Sequence, residues 1–213
     1  MSEAAHGTQD FIARLFAPED ESLQRILHAM EKEGLPEIQL PAITGRTVQL
    51  LLRMIGARSV LEIGTLAGYS ALWIVRALPA RGRLVTVDSE SERSRLARRL
   101  LEEAGEGGQV EFRTGDAASV FSSMESDGSW DAVFLDADKE GLPGYVAHAR
   151  RLLRPGGLLL VDNALWKGKV VDPENDEAST RAIRTTLETV ARDPEWDALL
   201  LPVGDGLLVA RRL

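Results

Sequence analysis

Apolar positions recur along this chain with two different periods. Leu23, Ile26, Leu27 and Met30 fall at i, i+3, i+4 and i+7, the stripe of an amphipathic helix, and Gly34 and Pro36 end it. Thr44 is placed to cap a second helix, with Val48, Leu51, Leu52 and Ile55 on one face and Gly56 as its stop. From residue 59 the pattern changes to short apolar runs separated by helical stretches. Strands are predicted at 59–63, 83–88, 110–113, 130–136 and 158–162. Between them, helices are predicted from Gly68 to about Leu78, from Ser91 to Ala104, briefly from Asp116, and from Tyr145 to Leu153, where Pro155-Gly156-Gly157 stops the last. A helix over Ala178–Ala191 carries Ile183, Leu187 and Val190 on one side. Two final strands, near 196–202 and 206–211, are joined by Val203-Gly204-Asp205-Gly206 and read as an antiparallel hairpin.

Strands alternating with helices imply right-handed crossovers and a parallel sheet covered on both faces, an α/β fold. The chain is read as one domain over 1–213, with 1–45 a helical extension and 46–213 the core. Ligands of such sheets bind beyond the carboxyl ends of the strands. Those ends deliver Glu62-Ile63-Gly64, then Asp88, Gly115-Asp116, Asp136, and Asp162-Asn163. Helix capping accounts for one or two such residues; five in succession favour a binding rim. In Glu62-Ile63-Gly64-Thr65-Leu66-Ala67-Gly68-Tyr69-Ser70 a strand runs through a glycine turn into a helix, and Asp88, 20 residues after Gly68, can accept the hydroxyl hydrogens of a ribose. A nucleoside-type cofactor fits this pairing, with an ordinary strand–turn–helix connection as the alternative. Leu66 stands where a dinucleotide turn carries glycine, and Glu62 would repel a pyrophosphate, so a nicotinamide-dependent reductase is disfavoured. Glu62 suits a ligand with a cationic amino end.

Composition narrows the partners. The 213 residues carry 25 Lys and Arg against 33 Asp and Glu, a net charge of −8, which argues against nucleic acid and against anionic membrane surfaces. No apolar run approaches the roughly 18 residues a membrane span needs, and Met1-Ser2-Glu3-Ala4-Ala5 does not begin a signal peptide. The absence of cysteine excludes disulfides, thiolate metal sites and a cysteine nucleophile, and fits a reducing cytoplasm. His6, His28 and His148 lie far apart, so any metal is expected on oxygen ligands.

Four segments carry a resemblance. Val60–Ser70 resembles the cofactor motif of the cation-dependent O-methyltransferases that use S-adenosylmethionine, the caffeoyl-CoA and catechol O-methyltransferases and especially their bacterial branch. Phe134-Leu135-Asp136-Ala137-Asp138-Lys139 and Val161–Val170 resemble that family's two metal motifs, and Pro202–Leu207 is similar to its ending. The likeness runs in order from about residue 38 to the end. It implies a Rossmann-like class I methyltransferase: a seven-stranded, mostly parallel sheet with an antiparallel last strand and helices on both faces. It implies that Glu62, Gly64, Thr65 and Ser70 line the methionine part of the donor, with Leu40 covering it. Asp88 would hold the ribose, and Asp116 and Ala117 would flank the adenine. Asp136, beside the donor, would bind a divalent cation with Asp162 and Asn163, and Lys139 would be the general base. Two carboxylates and an amide form a hard oxygen set suited to Mg²⁺, with Ca²⁺ or Mn²⁺ as substitutes.

The resemblance further implies a homodimer and a small phenolic acceptor. Pro18-Glu19-Asp20-Glu21 is acidic where the plant caffeoyl-CoA enzymes hold CoA with basic residues, which favours small catechols. A non-catalytic S-adenosylmethionine sensor or assembly subunit is the second reading, and the set Asp136, Lys139, Asp162 and Asn163 speaks against it. Trp166 and the polar segment Lys167–Glu177 read as a lid over the acceptor or as a surface loop. The arginines at 93, 95, 98 and 99 read as a solvated helix face, and His148 as structural.

Overall fold

The strands are β1 (Ser59–Ile63), β2 (Arg83–Asp88), β3 (Val110–Thr114), β4 (Trp130–Leu135), β5 (Leu153–Val161), β6 (Trp196–Leu201) and β7 (Leu207–Arg212). In the computed structural model, which describes residues 3–124 and 128–213, they form one sheet in the order β3-β2-β1-β4-β5-β7-β6. Met1, Ser2 and the side chain of His6 lie outside the described residues. The first five strands are parallel, and β7 runs antiparallel to both of its neighbours. The strand order reverses between β1 and β4, so the crevice that binds ligands in open α/β sheets opens above those two strands.

Strict alternation along the strands divides the interior. Val60, Leu84, Phe134, Leu158 and Leu160 point to one face, where they meet α2 (Glu21–Lys32), α3 (Ala42–Met54), α4 (Tyr69–Val75) and α5 (Ser91–Glu103). Leu61, Ile63, Val85, Val133, Leu135 and Leu159 point to the other, against α6 (Ala117–Ser123), α7 (Leu142–Leu152) and α8 (Ala178–Arg192). Each fully buried large apolar side chain contributes about 1.5–3 kcal/mol. The first helix, α1 (Glu3–Phe16), packs against α3. Among the described residues no helix is long and apolar enough to cross a membrane.

Two local expectations are corrected. Thr44 does not cap its helix: α3 starts at Ala42, and the carbonyl of Pro41 already receives the amides of Thr44 and Gly45. Proline at the cap, with φ −61°, is preset for helix entry, so Thr44 turns inward and is fully buried. Thr44 and Gly45, after Leu40, both lie within the helix. The Pro155-Gly156-Gly157 stop lies inside β5, which begins at Leu153 directly after α7. Its pairing with β4 slips from Trp130↔Leu153 to Ala132↔Leu158, and a bulge of this kind tolerates proline and glycine.

Candidate active site at the carboxyl rim of the sheet

Glu62 lies in the middle of the sheet and is fully buried. Its register partner on β2 is Thr86, whose hydroxyl donates to Glu62 Oε2 at 2.6 Å. The Thr65 and Thr86 hydroxyl oxygens are 2.5 Å apart. Because the single Thr86 hydrogen goes to Glu62, Thr65 is the donor of that second bond, and the two hydroxyls form a directed relay. Glu62 Oε1 receives no hydrogen bond of ordinary geometry and is also buried. Burial pushes the Glu62 carboxyl up to about 8, reinforced by the charges of Asp136 and Asp88 and opposed by the hydroxyls of Ser70 and Thr86. A cation placed at Oε1 would relieve both the missing bond and the raised proton affinity.

The glycine turn beside it is held by Asp88 at the end of β2. Asp88 Oδ2 accepts the amides of Thr65 at 3.2 Å and Leu66 at 2.9 Å, and Oδ1 accepts that of Glu90 at 2.9 Å. Gly64 has φ +102°, and a Cβ there would stand 2.0 Å from the Asp136 carbonyl oxygen. Only glycine lets β1 and β4 approach so closely at the rim. Ser70 stands in the first turn of α4, two residues after the capping Gly68. That helix is pinned at both ends to the acidic corner between α1 and α2: the Tyr69 hydroxyl donates to Glu19, and Arg76 pairs with Asp20 at 2.9 Å. Two members of the acidic Pro18–Glu21 segment thus serve as structural anchors.

The second cluster stands on β4 and β5. Leu135 pairs with Val161, so Asp136 and Asp162 leave the sheet side by side. Lys139 is buried, and its Nζ donates to Asp136 Oδ1 at 3.2 Å and to the Asp162 carbonyl at 3.4 Å. The Asp162 side chain is fully buried and neither carboxylate oxygen receives a hydrogen bond of ordinary geometry. Burial and the nearby Asp136 charge raise its proton affinity, with the Asn163 amide and then Lys139 opposing and Asp205 adding to the rise. A buried carboxylate without donors costs several kcal/mol unless a cation meets it. Among the described residues no three His, Cys, Asp or Glu side chains gather to hold a metal. Asn163 has φ 55°, a left-handed conformation that asparagine tolerates better than most residues.

Beyond Asn163 the chain continues through Trp166 and Lys167, also left-handed at φ 51° and 53°. Each such residue costs about 1 kcal/mol, so the segment is held from outside. The β6–β7 link does this from one side: Ala164 and Leu165 donate to the carbonyls of Gly206 and Asp205, and the Asp205 carboxylate accepts the Lys167 amide at 2.7 Å and 3.0 Å. The Trp166 ring lies 5.9 Å from Lys139 Nζ.

The remaining expected residues lie around this centre. Asp116 caps α6 by accepting the Ser119 amide at 2.9 Å; the Ser119 hydroxyl first, and then this amide, lower its pKa, and Ala117 beside it is buried. Leu40 is buried just before α3. His148 stacks on Phe121 at 5.4 Å, as a structural side chain does. The chemistry-bearing residue that pattern reading passed over is Thr86. Its signal is a lone hydroxyl between Val85 and Val87 in the buried middle of β2.

Residues 14–213 match the family model described as O-methyltransferase. A protein of Niastella koreensis named catechol O-methyltransferase is 35% identical over 193 residues, covering 90% of this chain and 87% of its own length. The O-methyltransferase from Bacillus cereus in complex with SAH superposes with a TM-score of 0.90 at 32% identity, covering 97% of both chains. The O-methyltransferase TomG from Streptomyces achromogenes, involved in tomaymycin synthesis and solved in complex with SAM, gives 0.90 at 33% identity, covering 100% of this chain and 99% of that one.

Proposed function

Since the chain belongs to the O-methyltransferase family, we propose that it moves a methyl group from S-adenosylmethionine to one hydroxyl of a vicinal-diol phenol, of catechol or caffeoyl type, with the help of a divalent cation. The observation that carries the cation is the Asp162 carboxylate, fully buried beside Asp136 with neither oxygen receiving a hydrogen bond of ordinary geometry. Asp136, Asp162 and Asn163 would hold it, and their oxygen-only chemistry suits Mg²⁺, with Ca²⁺ or Mn²⁺ as substitutes. When bound, such a cation would supply a positive charge that lowers the pKa of an acceptor hydroxyl.

The chain's own residues do the rest. Glu62, steadied by the Thr65–Thr86 relay, turns its free oxygen to the donor's ammonium group. Gly64, Thr65 and Ser70 line the methionine part under Leu40. Asp88 holds the ribose, and Asp116 and Ala117 flank the adenine. Lys139 takes the acceptor's proton as the hydroxyl oxygen attacks the methyl carbon. The leaving thioether is neutral, so the site needs no acid for it, and positioning does much of the work. The catechol acceptor is supported by the name of the Niastella koreensis relative. We place the enzyme in the cytoplasm, in keeping with a chain without cysteine, and as a homodimer.

The test is a panel of catechol, caffeic acid and simple phenols with tritiated donor. Activity on the vicinal diols is expected to vanish in EDTA and to return with Mg²⁺. Mg²⁺ is also expected to raise the melting temperature of the wild type and not of Asp162→Asn. Full turnover in EDTA with a harmless Asp136→Ala would overturn the cation reading. Donor binding without turnover on every phenol would favour the sensor reading instead.

A further inference from the structure

Arg184 on α8 spends its guanidinium on main-chain carbonyls of a single loop. Nε donates to Val170 O at 2.9 Å, Nη1 to Asn175 O at 2.8 Å, and Nη2 to Lys169 O at 3.0 Å and to Asp172 O. The planar fork of an arginine presents five donors in a fixed geometry, and here it gathers the chain from 169 to 175 onto one point. That point is rigid. Thr180, Ile183, Thr186 and Val190 bury the inner side of α8, so Arg184 stands on a helix anchored in the core.

Val170 packs against the core, and the loop's own turn bonds, Asp172 N to Lys169 O and Asn175 N to Asp172 O, tie neighbouring residues of the loop to each other, so Arg184 is the side chain that gathers several of its carbonyls at once. Val171 is 77% exposed, and the Lys169–Glu177 and Arg181–Asp176 ion pairs are solvent-facing, where such pairs add little. The left-handed residues Trp166 and Lys167 immediately precede the clamped stretch. Through Trp166, the loop forms the wall next to Lys139. Its other end is tied by Asp205, but Asp205 also acts electrostatically on Asp162.

We propose that Arg184 is a positioning residue for methyl transfer: by collecting the 169–175 carbonyls it sets the loop behind Trp166 over the acceptor side of Lys139, touching neither acceptor nor donor. This rests on the proposed function for the meaning of the acceptor side. The test uses full-length Arg184→Ala and Arg184→Lys, loaded with S-adenosylhomocysteine for the proteolysis and supplied with S-adenosylmethionine for turnover and donor binding. Tryptic cleavage after Lys167 and Lys169 is expected to quicken about tenfold in Arg184→Ala, and the acceptor KM to rise about tenfold. Donor affinity is expected to stay within about twofold of the wild type, since the clamp lies away from the donor pocket. Added guanidinium ion is expected to restore both properties in part, a rescue that a general loss of stability would not show. Wild-type cleavage and acceptor KM in Arg184→Ala overturn the proposal, as does an equal loss of donor and acceptor affinity with no rescue. Should Arg184→Ala fail to fold, Arg184→Lys, which keeps the charge and loses the fork, must show the same acceptor-selective loss or the proposal falls. If the wild type methylates no phenol, the cleavage and its rescue still decide the clamp, and the failure belongs to the proposed acceptor.

Discussion

A carboxylate in the middle of a sheet is an expensive residue, and Glu62 carries that cost as a raised proton affinity. Its ordinary pKa of 4.5 rises to about 8, chiefly through burial. The folded, donor-free protein therefore holds a proton there that the unfolded chain releases. The resulting stabilisation is complete below about pH 4.5 and is lost as pH climbs through 8. Melting temperatures of the donor-free protein are expected to fall across that interval, and Glu62→Gln is expected to flatten the slope. Donor binding should run the other way: wild-type affinity is expected to strengthen toward pH 8 as the carboxylate forms to meet the ammonium. Glu62→Gln is expected to lose that dependence and about tenfold in affinity, the worth of one charge-assisted bond. Calorimetric titration from pH 6 to 9 checks both, and an unchanged pH profile in the variant would remove Glu62 from the donor site. Glutamate at this position was conspicuous in the sequence. Its partner Thr86 was not, because the pairing depends on strand register, and register is a relation between segments.

At the scale of elements, the site depends on how closely β1 and β4 meet. Gly64 admits the Asp136 carbonyl, and the Asp136 amide donates back to Ile63 O at 2.9 Å. Gly64→Ala combines a positive φ with a Cβ driven into backbone, and is expected to destabilise the fold by roughly 3 kcal/mol or more. It should also blunt the Mg²⁺ response by displacing Asp136. Urea unfolding with and without Mg²⁺ measures the two effects, and a wild-type midpoint would contradict the close approach. The glycine turn was legible because a left-handed turn leaves few residue choices. Thr44 and the start of β5 were misread for a related reason. Capping residues and Pro-Gly-Gly are local signals, and here a proline cap and a strand bulge satisfy the same local chemistry within a different element.

For the whole molecule, the open question of association sits on α1 and α3. These packed helices leave Phe16 63% and Met54 73% exposed, with Phe11, Leu15 and Leu50 also in the open. Apolar side chains gathered on two adjoining helices mark a contact surface, and a second copy of the chain is the proposed occupant. Light scattering is expected to give a dimer for the wild type and a monomer for the Phe16→Asp, Met54→Asp double variant; a monomeric wild type would end that proposal.

The order of strands and helices, the two-sided core, the antiparallel last strand and the row of carboxylates along one rim were all determined by the sequence alone. Hydrophobic period and turn chemistry act between near neighbours, and they carry that information in each segment separately. Tertiary structure alone decided that Thr86 relays Thr65 to Glu62, that Asp162 is buried without a hydrogen bond of ordinary geometry, and that Asp205 and Arg184 grip the loop beyond Trp166. Those contacts join residues distant in the chain, and their geometry exists only after packing has set the register of the strands and the seat of α8.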